Sequence, residues 1–526
     1  MEKDKKFINL IKLLMTNSLL RTLVLFLSLS VHFFYAQDKE THQKKTQLGF
    51  AQLDFLSIDM PDINEPNMDF TGIHYNLKLN DWSYAGLGFY GAVGGVRGGF
   101  FTLGVNAGIN YKFYNNFFVD TGIHFGGGGG AAAPDGGGAF ILPHFNLGYD
   151  FKHFSISSGW SYVDFFDGGT INSNQFYAAI QIPLNFNHSD FKNRESKYTF
   201  DDLKNSDWNT KSNRISLMVH LNNLSVRGDS QFSTGESIKG RTIRLAGFEF
   251  ISFLDKNWLF FVRADGAFHG IPAGYMDIFL GGGYHVSMNK NKTNIQAKFG
   301  IGAGGGGGVD TKGGFLIYPD LSLEQKLFDN FYATINKGFL MSPDAHFLTS
   351  TFGVGLKYYV DKEGTTSDFT EPTSFKFKGV QTIVKQDWYI DAARNGNFDL
   401  DMHQISLQVN VFLNKYIYAA GQTSFANFGD AGAYAEGIVG LGAESNRFLK
   451  DKVSVYGQLL GGAAGGGGIS TGQGLIVKPS FGVDVKLLEN LSLRGGIGYV
   501  KARGGELSST FANFGINYNI SMLTAK

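Results

Sequence analysis

The chain has no cysteine among its 526 residues, which excludes a disulfide framework, thiolate-ligated zinc and thiol catalysis. Proline is scarce at 10 residues. Charged residues make up only 17%, against about 25% in ordinary soluble proteins. Neither sign of charge is in excess, since Lys plus Arg and Asp plus Glu each total 46. No basic surplus therefore points to nucleic acid as a partner. Beyond the N-terminus no apolar run reaches the ~18 residues of a spanning helix, which excludes helical membrane spans. H-E-x-x-H is missing and the 12 histidines are scattered, so neither a catalytic metal nor any other cofactor is expected. A phosphate-binding G-x-x-x-x-G-K-[ST] loop is missing too. In GGGGGVDTKGG the order is Thr311 before Lys312, and a strand follows instead of a helix.

What the chain has instead is glycine and aromatic residues: 71 Gly, 50 Phe and 23 Tyr. Disordered glycine-rich chains lack aromatics, so these glycines belong to strands and turns. One stretch occurs three times, as GGGGGAAAPDGGG at 126–138, GGGGGVDTKGG at 304–314 and GGGGISTGQG at 465–474. Each copy precedes an apolar run with a proline at a matching place: Pro143, Pro319 and Pro479. The period far exceeds the roughly 20–50 residues of solenoid repeats, so the duplicated unit is domain-sized.

The N-terminus supplies an address. Lys3, Lys5, Lys6, Lys12 and Arg21 precede an apolar core at 22–36, and Ala36 before Gln37 is a cleavage point. Residues 1–36 read as a signal peptide. A transmembrane anchor is the weaker reading, because the core is shorter than the ~20 residues a span needs.

From 48 to 186 the sequence reads as eight strands, at 48–58, 68–79, 82–93, 101–113, 117–127, 140–151, 154–163 and 175–186. Their lengths match the ~9–11 residues of a tilted membrane strand. Connections alternate between tight turns (Asn80-Asp81, 114–116, Lys152-His153) and long loops (59–67, 94–100, 128–139, 164–174). Side chains alternate as well. Phe101, Leu103, Val105 and Ile109 share one face of the fourth strand, and Thr102, Asn106 and Asn110 share the other. Period two with one apolar face is a half-buried strand.

The same parity nominates lumen-lining residues on other strands. They are Asp120, His124 and Gly126 in the first unit, Lys298, Gly302, Asp320 and Glu324 in the second, and Asp484 and Lys486 in the third. Aromatics gather at the tight turns, where Trp82, Tyr111, Phe113, Phe117, Tyr149 and Phe151 form a candidate girdle at the membrane–water interface. Polar linkers at 187–213 and 361–377 separate the first unit from eight-strand repeats at 214–360 and 378–526.

Signal peptide, alternation, unequal loops, aromatic girdles and a closing strand, STFANFGINYNI at 509–520, make the chain resemble bacterial outer-membrane β-barrel proteins over 48–520. The resemblance is to the class. It implies an all-β, transmembrane, antiparallel up-and-down barrel in the outer membrane of a Gram-negative bacterium, with N- and C-termini periplasmic. Outer-membrane lipid and the outer-membrane assembly machinery are then partners. The ending departs from the class, since SMLTAK follows Ile520 in place of a terminal aromatic. Recognition by the assembly machinery then falls to Phe514, Tyr518 and Ile520.

Three eight-strand repeats give about 24 strands. The inward faces are rich in Gly, Ser, Thr and Asn, which would fill an eight-stranded barrel poorly, so one wide barrel is expected; the alternative is three separate barrels. His124 and His144 share an inward register in one repeat without counterparts in the others, so they read as lumen residues and the chain as no enzyme. The expected function is a channel or conduit, its lumen completed by a protein partner in one version. The alternative is a non-transporting structural or assembly protein that binds partners through long loops and glycine tracts. Those tracts could kink strands, clear a conduit or receive a partner segment.

Overall fold

The computed structural model describes residues 43–525, so the signal-peptide reading of 1–36 lies outside the described residues. The architecture is all-β and antiparallel, as the alternation predicted. Each repeat closes on itself. In barrel 1, eight strands run from Gly49–Ile58 to Asn172–Pro183, and first and last pair from Phe50↔Pro183 to Leu56↔Tyr177. Barrel 2 runs from Asn213–Arg227 to Leu348–Lys362 and closes along the whole edge, Asn213↔Lys362 to Arg227↔Leu348. Barrel 3 runs from Ser374–Arg394 to Ser508–Ala525 and closes from Phe375↔Ala525 to Tyr389↔Phe511.

The strand content of the three repeats is as expected, but the preference for one wide barrel is corrected. The three-barrel alternative is the arrangement present. The physical reason is what fills the interiors. An eight-stranded barrel is just wide enough to be packed by side chains. Small inward residues here sit opposite large polar ones that supply the volume: Tyr84, Tyr90 and Tyr177 in barrel 1, Arg263, Tyr318 and Tyr359 in barrel 2, and Tyr389, Tyr418 and Arg494 in barrel 3, all buried. A Cβ on Gly148 or Gly442 would run into the ring of Phe118 or Tyr418. Those glycines make room for rings.

The outward faces are apolar and exposed, among them Phe145, Leu147, Leu321, Val354, Leu459 and Ile516. This is the belt an outer-membrane barrel presents to lipid. At the tight-turn end of barrel 1 four aromatic residues form a continuous chain. Ring centroids lie 5.0 Å apart for Phe117–Tyr149, 4.9 Å for Tyr149–Phe151 and 4.9 Å for Phe151–Phe154.

The polar segments between barrels are folded. After barrel 1, strand Phe186–Asp190 pairs with Lys45–Gln47 and touches the last strand of barrel 3 at Ser189↔Ser521. A 3-10 turn, Phe191–Asn193, follows, then strand Lys197–Thr199 and a helical turn, Phe200–Leu203, closed by a capping box between Thr199 and Asp202. Tyr198, Leu203 and Trp208 pack on Phe375, Phe377 and Leu523. The final strand runs on past Ile520 to Ala525, and Thr524 pairs with Lys362 of barrel 2. Residues 521–525 are therefore sheet.

Candidate functional site at the junction of the three barrels

The lumen candidates face inward, and most are buried in paired networks. In barrel 1, Asp120 accepts from the Tyr84 hydroxyl at 2.8 Å and from Gln181, with His144 Nε2 at 3.3 Å. Asp54 takes His74 Nε2 at 2.7 Å and the Tyr90 hydroxyl at 2.8 Å. The His124 ring packs edge-on to His74 and Tyr90 and stacks on Phe140. Thr102 and Asn106 are buried, Asn106 donating to Asn76. Asn110 lies nearer the turns and donates to Gln181 Oε1 at 3.3 Å.

In barrel 2, Lys298 sits between Glu249 at 2.6 Å and Asp320 at 3.3 Å, and Lys357 joins Glu324 at 2.6 Å to Glu249 at 3.4 Å. In barrel 3, Asp484 accepts from Arg447 at 3.0 Å, Ser492 at 2.9 Å and Asn517 at 2.7 Å. Lys486 stands apart from this interior. It lies at the turn end against Glu489 at 3.0 Å.

Sequence reasoning missed Lys478, which bridges Asp387 at 2.8 Å and Glu436 at 3.0 Å, and it missed Arg263 with Asp265 at 2.6 Å. The available signal was parity, because Arg263 and Asp265 alternate with Val262 and Ala264. Buried charges persist only when paired and hydrogen-bonded, and these are. Gly126 and Gly302 face inward, but a Cβ there would meet a carbonyl of the neighbouring strand, Leu103 or Ile278. They permit close strand approach in a narrow barrel and clear no passage.

The glycine tracts have a different place. Each barrel presents its third strand and the following loop to the fifth strand and following loop of another barrel, and this seam occurs three times. Strand Ser83–Ala92 of barrel 1 and loop 93–100 lie on strand Thr293–Gly305 of barrel 2 and loop 306–314; Gly98 N donates to Lys312 O at 2.6 Å. Strand Trp258–His269 of barrel 2 and loop 270–275 lie on strand Val453–Gly465 of barrel 3 and loop 466–474. There a Cβ on Gly465 would stand 2.8 Å from that of Ala273. Strand Ile417–Phe428 of barrel 3 and loop 429–434 lie on strand Phe117–Gly129 of barrel 1 and loop 130–139. Gly432 N donates to Gly136 O at 3.1 Å, and Gly429 N to Asp167 Oδ2 at 3.1 Å.

The contact is heterologous, head to tail, and it closes after three steps, the condition for a ring. At its centre, Phe101 and Leu103 of barrel 1, Ala303 of barrel 2, and Ile405 and Phe425 of barrel 3 form one buried apolar cluster. Of the three roles open to the glycine tracts, receiving another segment is the one this geometry displays, and the segment belongs to the next barrel of the same chain.

One acid sits in the third seam. Asp135 accepts from Gly130 N at 2.8 Å; burial first, and Asp430 with it, hold its carboxyl up at about 7 against the opposing Gly130 amide and Arg97.

No family model matches the chain, and no curated protein matches it. Among solved structures it is similar to the ferric enterobactin receptor PfeA of Pseudomonas aeruginosa, at 9% identity over 90% of this chain and 81% of that chain, with a TM-score of 0.27. It is similar to the siderophore receptor PirA of the same organism, at 9% identity over 91% and 81%, TM-score 0.26. A third is OpdQ, also from Pseudomonas aeruginosa, at 8% identity over 91% and 98%, TM-score 0.21. At these scores the likeness carries nothing about function.

Proposed function

We propose that this chain is a non-enzymatic outer-membrane protein of a Gram-negative bacterium, a three-barrel scaffold that binds partners through the platform its long loops build over the barrel junction. The observation that carries the reading is the contrast between the two ends of each repeat's chemistry. The lumens are packed with paired side chains such as Lys298, Glu249 and Asp320, while loops from all three barrels interlock at Gly98, Gly432 and Gly465. A rigid, composite surface of that kind suits recognition. The apolar belt supports a place in lipid, and the signal-peptide reading and short-turn asymmetry argue for periplasmic turns and termini.

A second reading, a channel or conduit with or without a partner completing it, draws on the polar residues partway down each lumen, such as Asp120, Lys298 and Lys478. Conductance of the purified protein in planar bilayers separates the two. Silence across the accessible voltage range is the expected result. Discrete conductance steps would transfer the function to the conduit reading.

A further inference from the structure

The turn-side mouth of barrel 3 is covered by a segment from elsewhere in the chain. The stretch after barrel 1 passes beneath it and buries Phe191 among the interior residues of barrel 3, with the ring 5.4 Å from Phe412. Ser521 Oγ, on the closing strand, donates to Phe191 O at 3.4 Å. Next to this cap lies an open cavity of about 300 Å³, between the capping segment and three turns of barrel 3. Its wall carries Lys192 and Arg194 from the cap and Lys415, Arg447 and Lys486 from the turns. Two carboxylates share the lining, Asp451 and Glu489, while Glu444 and Glu195 act on Arg194 from outside it. Asp451 and Glu489 lie near Lys486, at 3.9 and 3.0 Å, and Arg447 is held by Asp484 at 3.0 Å.

Arg194 is the residue left over. Its guanidinium carbon stacks 4.4 Å above the Phe191 ring and 5.4 Å from that of Phe412. Its Nε is buried and has no hydrogen-bond partner. Barrel 2 supplies the comparison within the same molecule. Arg214 stacks 4.1 Å above Phe369, a ring of the segment after barrel 2, in the same way. Arg214, however, is satisfied by both oxygens of Asp361, through Nε at 2.7 Å and Nη2 at 2.8 Å. Stacking fixes the plane of a guanidinium and leaves its edge for a bidentate oxyanion. In barrel 2 the chain provides that oxyanion, and in barrel 3 it provides a cationic cavity.

We propose that this cavity binds a phosphate-bearing anion, with Arg194 as the bidentate contact and Lys192 and Lys415 as flanking charges. Phosphate matches the forked guanidinium geometry, and lysines complete such sites as point charges. The group could arrive on a lipid headgroup at the membrane surface or on a soluble anion, and the chemistry is shared. The site stands independently of whether the barrels conduct.

The test uses the full-length protein in zwitterionic detergent, titrated calorimetrically with inorganic pyrophosphate in one arm and dihexanoyl-phosphatidylglycerol in the other. Dihexanoylglycerol, which lacks the phosphate, is the control. Saturable binding of one equivalent, weakened by salt, is expected in at least one arm, and the arm that responds assigns the source. Arg194→Gln should lower affinity roughly tenfold or more, as loss of a charge-assisted bidentate contact does, and Arg194→Lys should restore part of it. Should Arg194→Gln disturb the cap, judged by heat-modifiability on gels, the exposed pair Lys192→Gln and Lys415→Gln tests the same site. Absence of binding in both arms, or binding that none of these variants weakens, overturns the proposal.

Discussion

The amide of Gly432 in barrel 3 donates to the carbonyl of Gly136 in barrel 1 at 3.1 Å, so two loops far apart in the chain meet backbone to backbone. Such an approach leaves no space for a Cβ on either side. A Cβ on Gly432 would stand 2.8 Å from both Gly136 O and Asp135 Oδ1. The first prediction concerns these seams. Gly432→Leu should part barrels 1 and 3 while each barrel stays closed. The readout is protease cutting in loop 130–139 together with unchanged heat-modifiability. Gly99 adds a backbone constraint, with φ of +93° and the Gly306 amide where a Cβ would go, so Gly99→Ala should fail almost as badly as Gly99→Leu. Gly457→Ala, on the outer face with nothing within 4 Å, should be silent. Equal effects at all three sites would remove the seam explanation.

Interior charge pairs should be costly to break and cheaper to remove together. Lys298→Met leaves Asp320 without a cation and Glu249 with only Lys357 at 3.4 Å, and in a dry interior it should cost about 3–5 kcal/mol in urea unfolding from lipid vesicles. Combining it with Glu249→Gln should recover part of the loss. If the single variant matched wild type, the lumen of barrel 2 would have to be wet.

Position decides the effect of a new charge. Leu147→Arg, on the lipid face, should cost about 2–4 kcal/mol near the bilayer midplane. Inward parity alone makes Asn106→Arg look harmless. The packed interior reverses that expectation, because Asn106 is buried against Asn76 and arginine there overfills the barrel. The same unfolding assay compares the two, and a tolerated Asn106→Arg would mean spare volume in barrel 1.

The third seam should respond to pH. Asp135 has its carboxyl raised by burial, from 3.8 to about 7, so the folded protein holds a proton there that the unfolded chain releases at lower pH. The stability this brings is complete below about 4 and disappears as pH rises through about 7. Asp430, from the adjoining loop of barrel 3, opposes its ionisation, and the Gly130 amide and Arg97 favour it. Wild type should therefore have a higher melting temperature at pH 5 than at pH 8, and Asp135→Asn should flatten that slope. An unchanged slope in the variant would exclude Asp135 as the source.

The sequence by itself determined the strands. Residues such as Phe101, Leu103 and Val105 against Thr102 and Asn106 impose a two-residue period that any register must respect, and turn length sorted the ends. It also exposed the threefold repetition through its glycine tracts. Closure was not legible, because it depends on the volume available inside a ring. Inward glycines look like empty space until Tyr84, Tyr90 and Arg263 are known to converge on it from other strands. Nor could local pattern show that Gly127, Gly305 and Gly465 face another barrel, or that Phe191, in a polar stretch after barrel 1, caps barrel 3. Those contacts join positions hundreds of residues apart, and only the tertiary structure, by deciding which surfaces can approach without a Cβ between them, brings them together.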